Sequence, residues 1–165
     1  MKKEKIEIIY TVFDSIEDLD EKDKKLLEEA RKVTKRAYAP YSNFNVGAVA
    51  RLANGEIITG SNQENASFSA GICAERVLLA SAATQFPETP VKDLAISYHN
   101  INGSSNQPVS PCGICRQALQ EYEDRMKHPI RLILAGMEGN VFVFEKASTL
   151  LPLAFTTNDL NRKLL

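Results

Sequence analysis

All three cysteines of this chain fall in two short stretches, each of which reads as the start of a helix. The first is Gly71-Ile72-Cys73-Ala74-Glu75-Arg76 and the second is Pro111-Cys112-Gly113-Ile114-Cys115-Arg116. Cys112 and Cys115 are three positions apart, which on a helix sets both sulfurs on one face, a turn apart. If the two helix starts converge, three thiolates can surround one zinc ion at about 2.3 Å. Three protein ligands leave the fourth position to water, the arrangement of a catalytic site; a closed structural site needs a fourth Cys or His. His99 sits at a strand end and His128 in a turn before Pro129, so neither has ligand-like spacing to a cysteine. Helix starts suit thiolates, because free N–H groups and the positive end of the dipole stabilise negative sulfur.

Glu75 is what would turn such a metal site into an enzyme. It can take a proton from water and pass it to a leaving group. At about 100° per residue, Cys73 and Glu75 would diverge within a helix, but a site lying over the helix end is reachable from both. The plainer alternative is an acid favoured in the first turn by the dipole alone. Three thiolates on one divalent cation leave a net negative charge and weaken the metal as a Lewis acid. Arg76 is expected to hydrogen-bond a metal-bound sulfur and restore electrophilicity; a surface salt bridge is the alternative.

These residues need elements to hold them. Residues 5–13 place Ile6, Ile8, Tyr10 and Val12 at period two, a strand signal. Asp20 opens a helix in the manner of a capping box with Asp23, and Leu26, Ala30, Val33 and Ala37 form its apolar stripe. Pro40 stops it. Residues 46–52 and 56–59 read as strands around the hairpin signal Asn54-Gly55. A helix from Cys73 to about Thr84 buries Ala74, Val77, Leu78 and Ala82, and residues 94–98 form a short strand. A further helix spans residues 112–124, with Ile114, Ala118 and Leu119 inward. Residues 130–135 and 141–144 are strands, and residues 148–151 a single helical turn. Strands alternating with helices imply an α/β domain, helices covering a mixed sheet.

The 165 residues suit one domain, in which residues 1–19 precede the helix that Asp20 opens. A net charge of −1 speaks against a general nucleic-acid binder. No apolar run could span a bilayer or serve as a signal-peptide core, so a cytoplasmic location is expected. In a reducing compartment an odd cysteine count with one C-x-x-C favours metal or redox chemistry over disulfides.

The motifs resemble those of cytidine deaminases of the short, homotetrameric, three-cysteine zinc type. They are Ala39-Pro40-Tyr41-Ser42-Asn43-Phe44, Val46-Gly47-Ala48, Asn62-Gln63-Glu64-Asn65-Ala66, Cys73-Ala74-Glu75-Arg76, Pro111-Cys112-Gly113-Ile114-Cys115-Arg116-Gln117 and Leu150-Leu151-Pro152-Leu153-Ala154-Phe155. Zinc deaminases with a Cys₃ site and a glutamate that is not a ligand are a known chemical pattern.

The resemblance implies a three-layer α/β/α fold with a mixed central sheet. It implies zinc on Cys73, Cys112 and Cys115, and Glu75 carrying a proton to N3 and then to the departing amine as C4 of cytosine is attacked. It implies base-edge contacts from the backbone around Ala74 and Ser110, Phe44 against the pyrimidine, and Asn62 and Glu64 on the ribose 3′-hydroxyl. A carboxylate and an amide buried there would need that hydroxyl as partner. Phe155 would reach a neighbouring subunit's site in a homotetramer. Phe68 stands where many members carry a tyrosine of the ribose site, keeping the ring without the hydroxyl. The implied reaction is hydrolytic deamination of cytidine and 2′-deoxycytidine in pyrimidine salvage, with nucleosides and not nucleic acid as partners. Alternatives are a related zinc deaminase acting on a nucleoside antibiotic or on nucleic acid, a structural-zinc binding module, and a redox protein using Cys112 and Cys115.

Overall fold

The computed structural model describes residues 1–160; residues 161–165, the end of a tail without sequence pattern, lie outside the described residues. The chain runs β1 (Thr11–Phe13), α1 (Glu21–Val33), β2 (Phe44–Leu52), β3 (Ile57–Ser61), α2 (Ala74–Gln85), β4 (Val91–Asn100), α3 (Gly113–Met126), β5 (Arg131–Ala135), β6 (Val141–Phe144) and α4 (Thr157–Leu160). Among the described residues one sheet forms, in the order β1-β6-β5-β4-β2-β3. The β4–β5 pair is parallel and the other pairs are antiparallel.

The pleat sends alternate side chains to opposite faces, and both faces are covered. Leu132 and Leu134 pack with Leu78, Leu79 and Leu119 of α2 and α3. Ile133 and Ala135, one residue out of phase, pack with Leu26, Leu27, Ala30 and Val33 of α1. This is the expected three-layer α/β/α arrangement around a mixed sheet. It also explains why residues 130–135 are continuously apolar: each face of β5 meets a helix layer.

Several sequence expectations change in detail. Of residues 5–13 only Thr11–Phe13 form a strand, because the adjoining β6 is four residues long and pairs just these three. Ile6, Ile8 and Ile9 are left exposed, while Tyr10 stacks on Phe144 at 5.0 Å. Asp20 caps α1, accepting from the Lys22 and Asp23 amides, but the Asp23 carboxylate turns away to Arg131 (2.6 Å) and completes no capping box. β4 has ten residues, not five, since it is paired along its length by β2 and β5. Ile114, expected inward, is 65% exposed: it sits on the outer side of the first turn of α3, opposite buried Cys115.

Candidate active site

Both cysteine-bearing stretches begin helices in the same way. Cys73 is the N-cap of α2 and Cys112 the N-cap of α3, each with extended backbone angles (φ −75°, ψ 155° and φ −66°, ψ 168°) and no side-chain cap. Cys73 therefore lies outside the helical path, and the divergence expected within a helix between it and Glu75 does not apply. The carbonyl of Cys73 accepts from the Val77 amide and that of Cys112 from the Arg116 amide, so each cap residue is tied to its first turn while its sulfur is free to point outward.

The α2 start is seated on β3 through Gly60. A Cβ at position 60 would overlap the Ala74 carbonyl oxygen and stand 2.7 Å from the Leu78 amide nitrogen. The parallel strands β4 and β5 then carry α3 to the same end of the sheet. The three sulfurs meet there within 4.8 Å of one another. Cys112 Sγ is 3.8 Å from Cys73 Sγ and 3.5 Å from Cys115 Sγ. Tetrahedral zinc with bonds of about 2.3 Å spaces its sulfurs by about 3.8 Å, so the donor set fits that ion. Among the described residues no histidine or carboxylate joins the cluster.

Cys73 and Cys112 line a cavity of about 360 Å³ together with Glu75, and fully buried Cys115 lies behind them. Hydrogen bonds from the Cys115 thiol, then the Cys112 thiol, lower the Cys73 thiol to about 6, helped by the charge of Arg76 and opposed by burial and Glu75. Glu75 is 5% exposed, and burial raises its carboxyl above the usual range. A raised carboxyl is a stronger proton acceptor than an exposed one, as a proton carrier must be.

Around the cavity the sequence-predicted residues are distributed unevenly. Phe44 and Ser110 line it, as do Asn62 and Glu64. Asn62 Oδ1 accepts from the Val46 amide (2.7 Å) and its Nδ2 donates to the Phe44 carbonyl (2.9 Å). Glu64 Oε2 accepts from the amides of Tyr41 (2.9 Å) and Ser42 (3.3 Å), and hydrogen bonding at Ser42 lowers its carboxyl. The two side chains hence already have backbone partners and do not depend on a sugar hydroxyl for satisfaction. Ala74 turns its methyl into the core between the cavity-lining Cys73 and Glu75. Phe155 is 59% exposed and away from this cavity, its carbonyl accepting from Gln117 Nε2 (2.9 Å). Arg76 lies in a groove between α2 and α3 with Tyr122 and Arg125; it reaches Cys73 by charge, and no hydrogen bond joins it to a sulfur among the described residues. Phe68 is 79% exposed and packs edge-on against Tyr41.

Sequence reasoning missed Tyr98. Its ring lies against Phe44 with centroids 4.8 Å apart and planes 9° apart, and it also lines the cavity. The only signal was positional, since Tyr98 pairs with Val46 and so shares a sheet face with Phe44. Arg116, noted merely as the neighbour of Cys115, donates to the Pro111 carbonyl beside the metal loop (2.8 Å).

The model of the cytidine and deoxycytidylate deaminase zinc-binding region matches residues 20–128. The chain belongs to this family. It is 35% identical over 136 residues to a cytidine deaminase of Halalkalibacterium halodurans, covering 82% of this chain and 96% of that one. A cytidine deaminase of Sporosarcina psychrophila is 35% identical over 137 residues, covering 83% and 93%. Among solved structures, cytidine deaminase from Burkholderia pseudomallei superposes with a TM-score of 0.69 at 38% identity, covering 79% of this chain and 97% of that chain. That from Mycobacterium tuberculosis gives 0.63 at 30% identity, covering 84% and 98%. The region that the deaminase family model matches contains all three sulfurs and Glu75, and the β1 strand lies ahead of it.

Proposed function

We propose that this chain is a zinc-dependent hydrolase that converts cytidine and 2′-deoxycytidine to uridine and 2′-deoxyuridine, releasing ammonia, in pyrimidine salvage. The observation that carries this reading is the convergence of three sulfurs beside a buried Glu75, at a cavity that Cys73, Cys112 and Glu75 line. Cys73, Cys112 and Cys115 hold the zinc. When bound, the ion supplies a Lewis acid that makes water a nucleophile near neutral pH.

The residues of the chain do the rest. Glu75 accepts the proton lost by the attacking water and delivers it to N3 of the base; it then takes the second proton from the new C4 hydroxyl and gives it to the amine as the C4–N4 bond breaks and the C4 carbonyl forms. One C–O bond forms and one C–N bond breaks, so water and cytidine give uridine and ammonia. Phe44, backed by Tyr98, gives the pyrimidine an aromatic wall. The backbone at Ala74 and Ser110 meets the base edge. Asn62 and Glu64, fixed by the amides they bind, present their remaining hydrogen-bonding capacity to the ribose. Arg76 offsets the negative charge of the thiolates. Phe155 closes the site of a neighbouring copy in a homotetramer, and the enzyme works in the cytoplasm. Among the described residues no helix is long and apolar enough to cross a membrane.

The test is the loss of cytidine absorbance with zinc-loaded protein. Parallel samples contain deoxycytidine, free cytosine and a short single-stranded oligonucleotide. Turnover of the two nucleosides alone is the expected result, and no turnover of cytidine rejects the reading.

A further inference from the structure

Cys112 is the most exposed of the three sulfur ligands, whereas Cys115 is fully buried and Cys73 half-buried. The core cannot position Cys112, and it caps α3 without a side-chain cap bond. Its position depends on the next turn. The Arg116 amide donates to the Cys112 carbonyl (2.9 Å), and Arg116 Nε donates to the carbonyl of Pro111 just before it (2.8 Å). One residue thus grips two consecutive carbonyls around the ligand. The same guanidinium extends Nη1 to the Leu150 carbonyl (3.0 Å), at the end of the turn Ala147–Leu150. The next residue, Gln117, donates to the Phe155 carbonyl (2.9 Å).

Two neighbours that directly follow the metal ligand Cys115 therefore hold both ends of residues 150–155. Within that stretch Leu153 is 93% exposed and has a positive φ of 57°, so the core does not anchor it. We propose that Arg116 is a positioning residue for the metal centre and that, with Gln117, it locks residues 150–155 to the loop carrying Cys112. The fork shape is essential: a guanidinium can serve two carbonyls from different segments at once, whereas an ammonium is a point donor on a flexible stem. Loss of the fork frees the Pro111–Cys112 peptide and the C-terminal segment together.

The experiment uses zinc-loaded protein and the variants Arg116→Lys and Arg116→Met. Two quantities are read: the rate of zinc transfer to excess chromogenic chelator, and amide exchange across residues 150–155 by mass spectrometry. Arg116→Lys keeps the positive charge, so it separates the fork from simple charge compensation. Both variants are expected to lose zinc about tenfold faster, the lower end for groups that orient metal ligands, with exchange across residues 150–155 rising in parallel. Parent-like zinc retention in Arg116→Lys overturns the proposal, and so does faster zinc loss with unchanged exchange. Gln117→Met guards against a general folding defect, because it touches the tail alone. It is expected to raise exchange near Phe155 about fivefold, the weight of one hydrogen bond, at the parent rate of zinc loss. Unchanged exchange in Gln117→Met overturns the lock.

Discussion

The ring of Tyr98 lies parallel to that of Phe44, and Tyr98 is buried while Phe44 opens to the cavity. Tyr98 is thereby the fixed backing of the wall against which a pyrimidine would stack. Aromatic pairs contribute about 0.5–1.5 kcal/mol beyond their buried area. Tyr98→Ala should raise KM for cytidine by up to about tenfold and lower stability by about 3–5 kcal/mol. Tyr98→Phe, which keeps the ring, should leave KM near the parent value. Steady-state kinetics with urea unfolding separate the two effects.

Gly60 lets the first turn of α2 rest on β3 without an intervening side chain. In Gly60→Ala the new methyl would have to push Ala74 and Leu78 backbone aside, and backbone yields poorly. The expected cost is about 1–3 kcal/mol, together with a weaker metal site, since Cys73 and Glu75 ride on that turn. Zinc stoichiometry after dialysis and the thermal midpoint measure both.

Glu75→Gln keeps the shape of the side chain and removes its ability to carry a proton. Turnover should fall by about 10²–10⁴-fold. Zinc content should remain at one per chain, because the carboxylate is no part of the sulfur cluster. Stability should be unchanged or higher, since a buried ionisable carboxyl is replaced by a neutral amide. Metal analysis beside the cytidine assay checks these outcomes, and retained activity would remove Glu75 from its role.

Asp20 links helix capping to pH. Hydrogen bonding from the Asp23 amide, then the Lys22 amide and the Arg131 charge, lower its carboxyl below the usual value, against desolvation. A depressed folded-state value means stability that is present above the unfolded carboxylate range of about 4 and lost as pH falls through the folded value. Asparagine caps equally well without the charge. Asp20→Asn should therefore be less stable than the parent by about 0.3–1 kcal/mol near neutrality, the usual worth of an acid at an exposed helix start. The gap should close in acid. Urea unfolding of both proteins at neutral pH and at about pH 3 measures it, and a gap independent of pH would sink the assignment.

Local chemistry was legible wherever neighbours in sequence are partners in space. Asp20 caps α1, Asn54-Gly55 turns the hairpin, and the helices begin at Cys73 and Cys112, because each feature depends on a few adjacent residues. Features needing a distant partner were not legible. The alternation in residues 5–13 outruns the strand it forms, since β6 ends before Ile6 can pair. Asp23 looks like half of a capping box until Arg131, 108 positions away, takes its carboxylate. Asn62 and Glu64 looked like groups awaiting a ligand, yet Val46, Tyr41 and Ser42 supply amides to them.

By itself the sequence determined the chemical inventory: three thiols, one carboxyl beside them, and two helix starts whose N–H groups favour negative sulfur. Residue type and short spacing suffice for that. Only the tertiary structure decided that the two helix starts meet within one zinc coordination shell, that Gly60 permits the approach, that Tyr98 backs Phe44, and that Arg116 binds the Cys112 loop to the C-terminal segment. The physical reason is common to all four. Each is a contact between segments brought together by strand order and helix packing, and burial on both faces of the sheet sets that order.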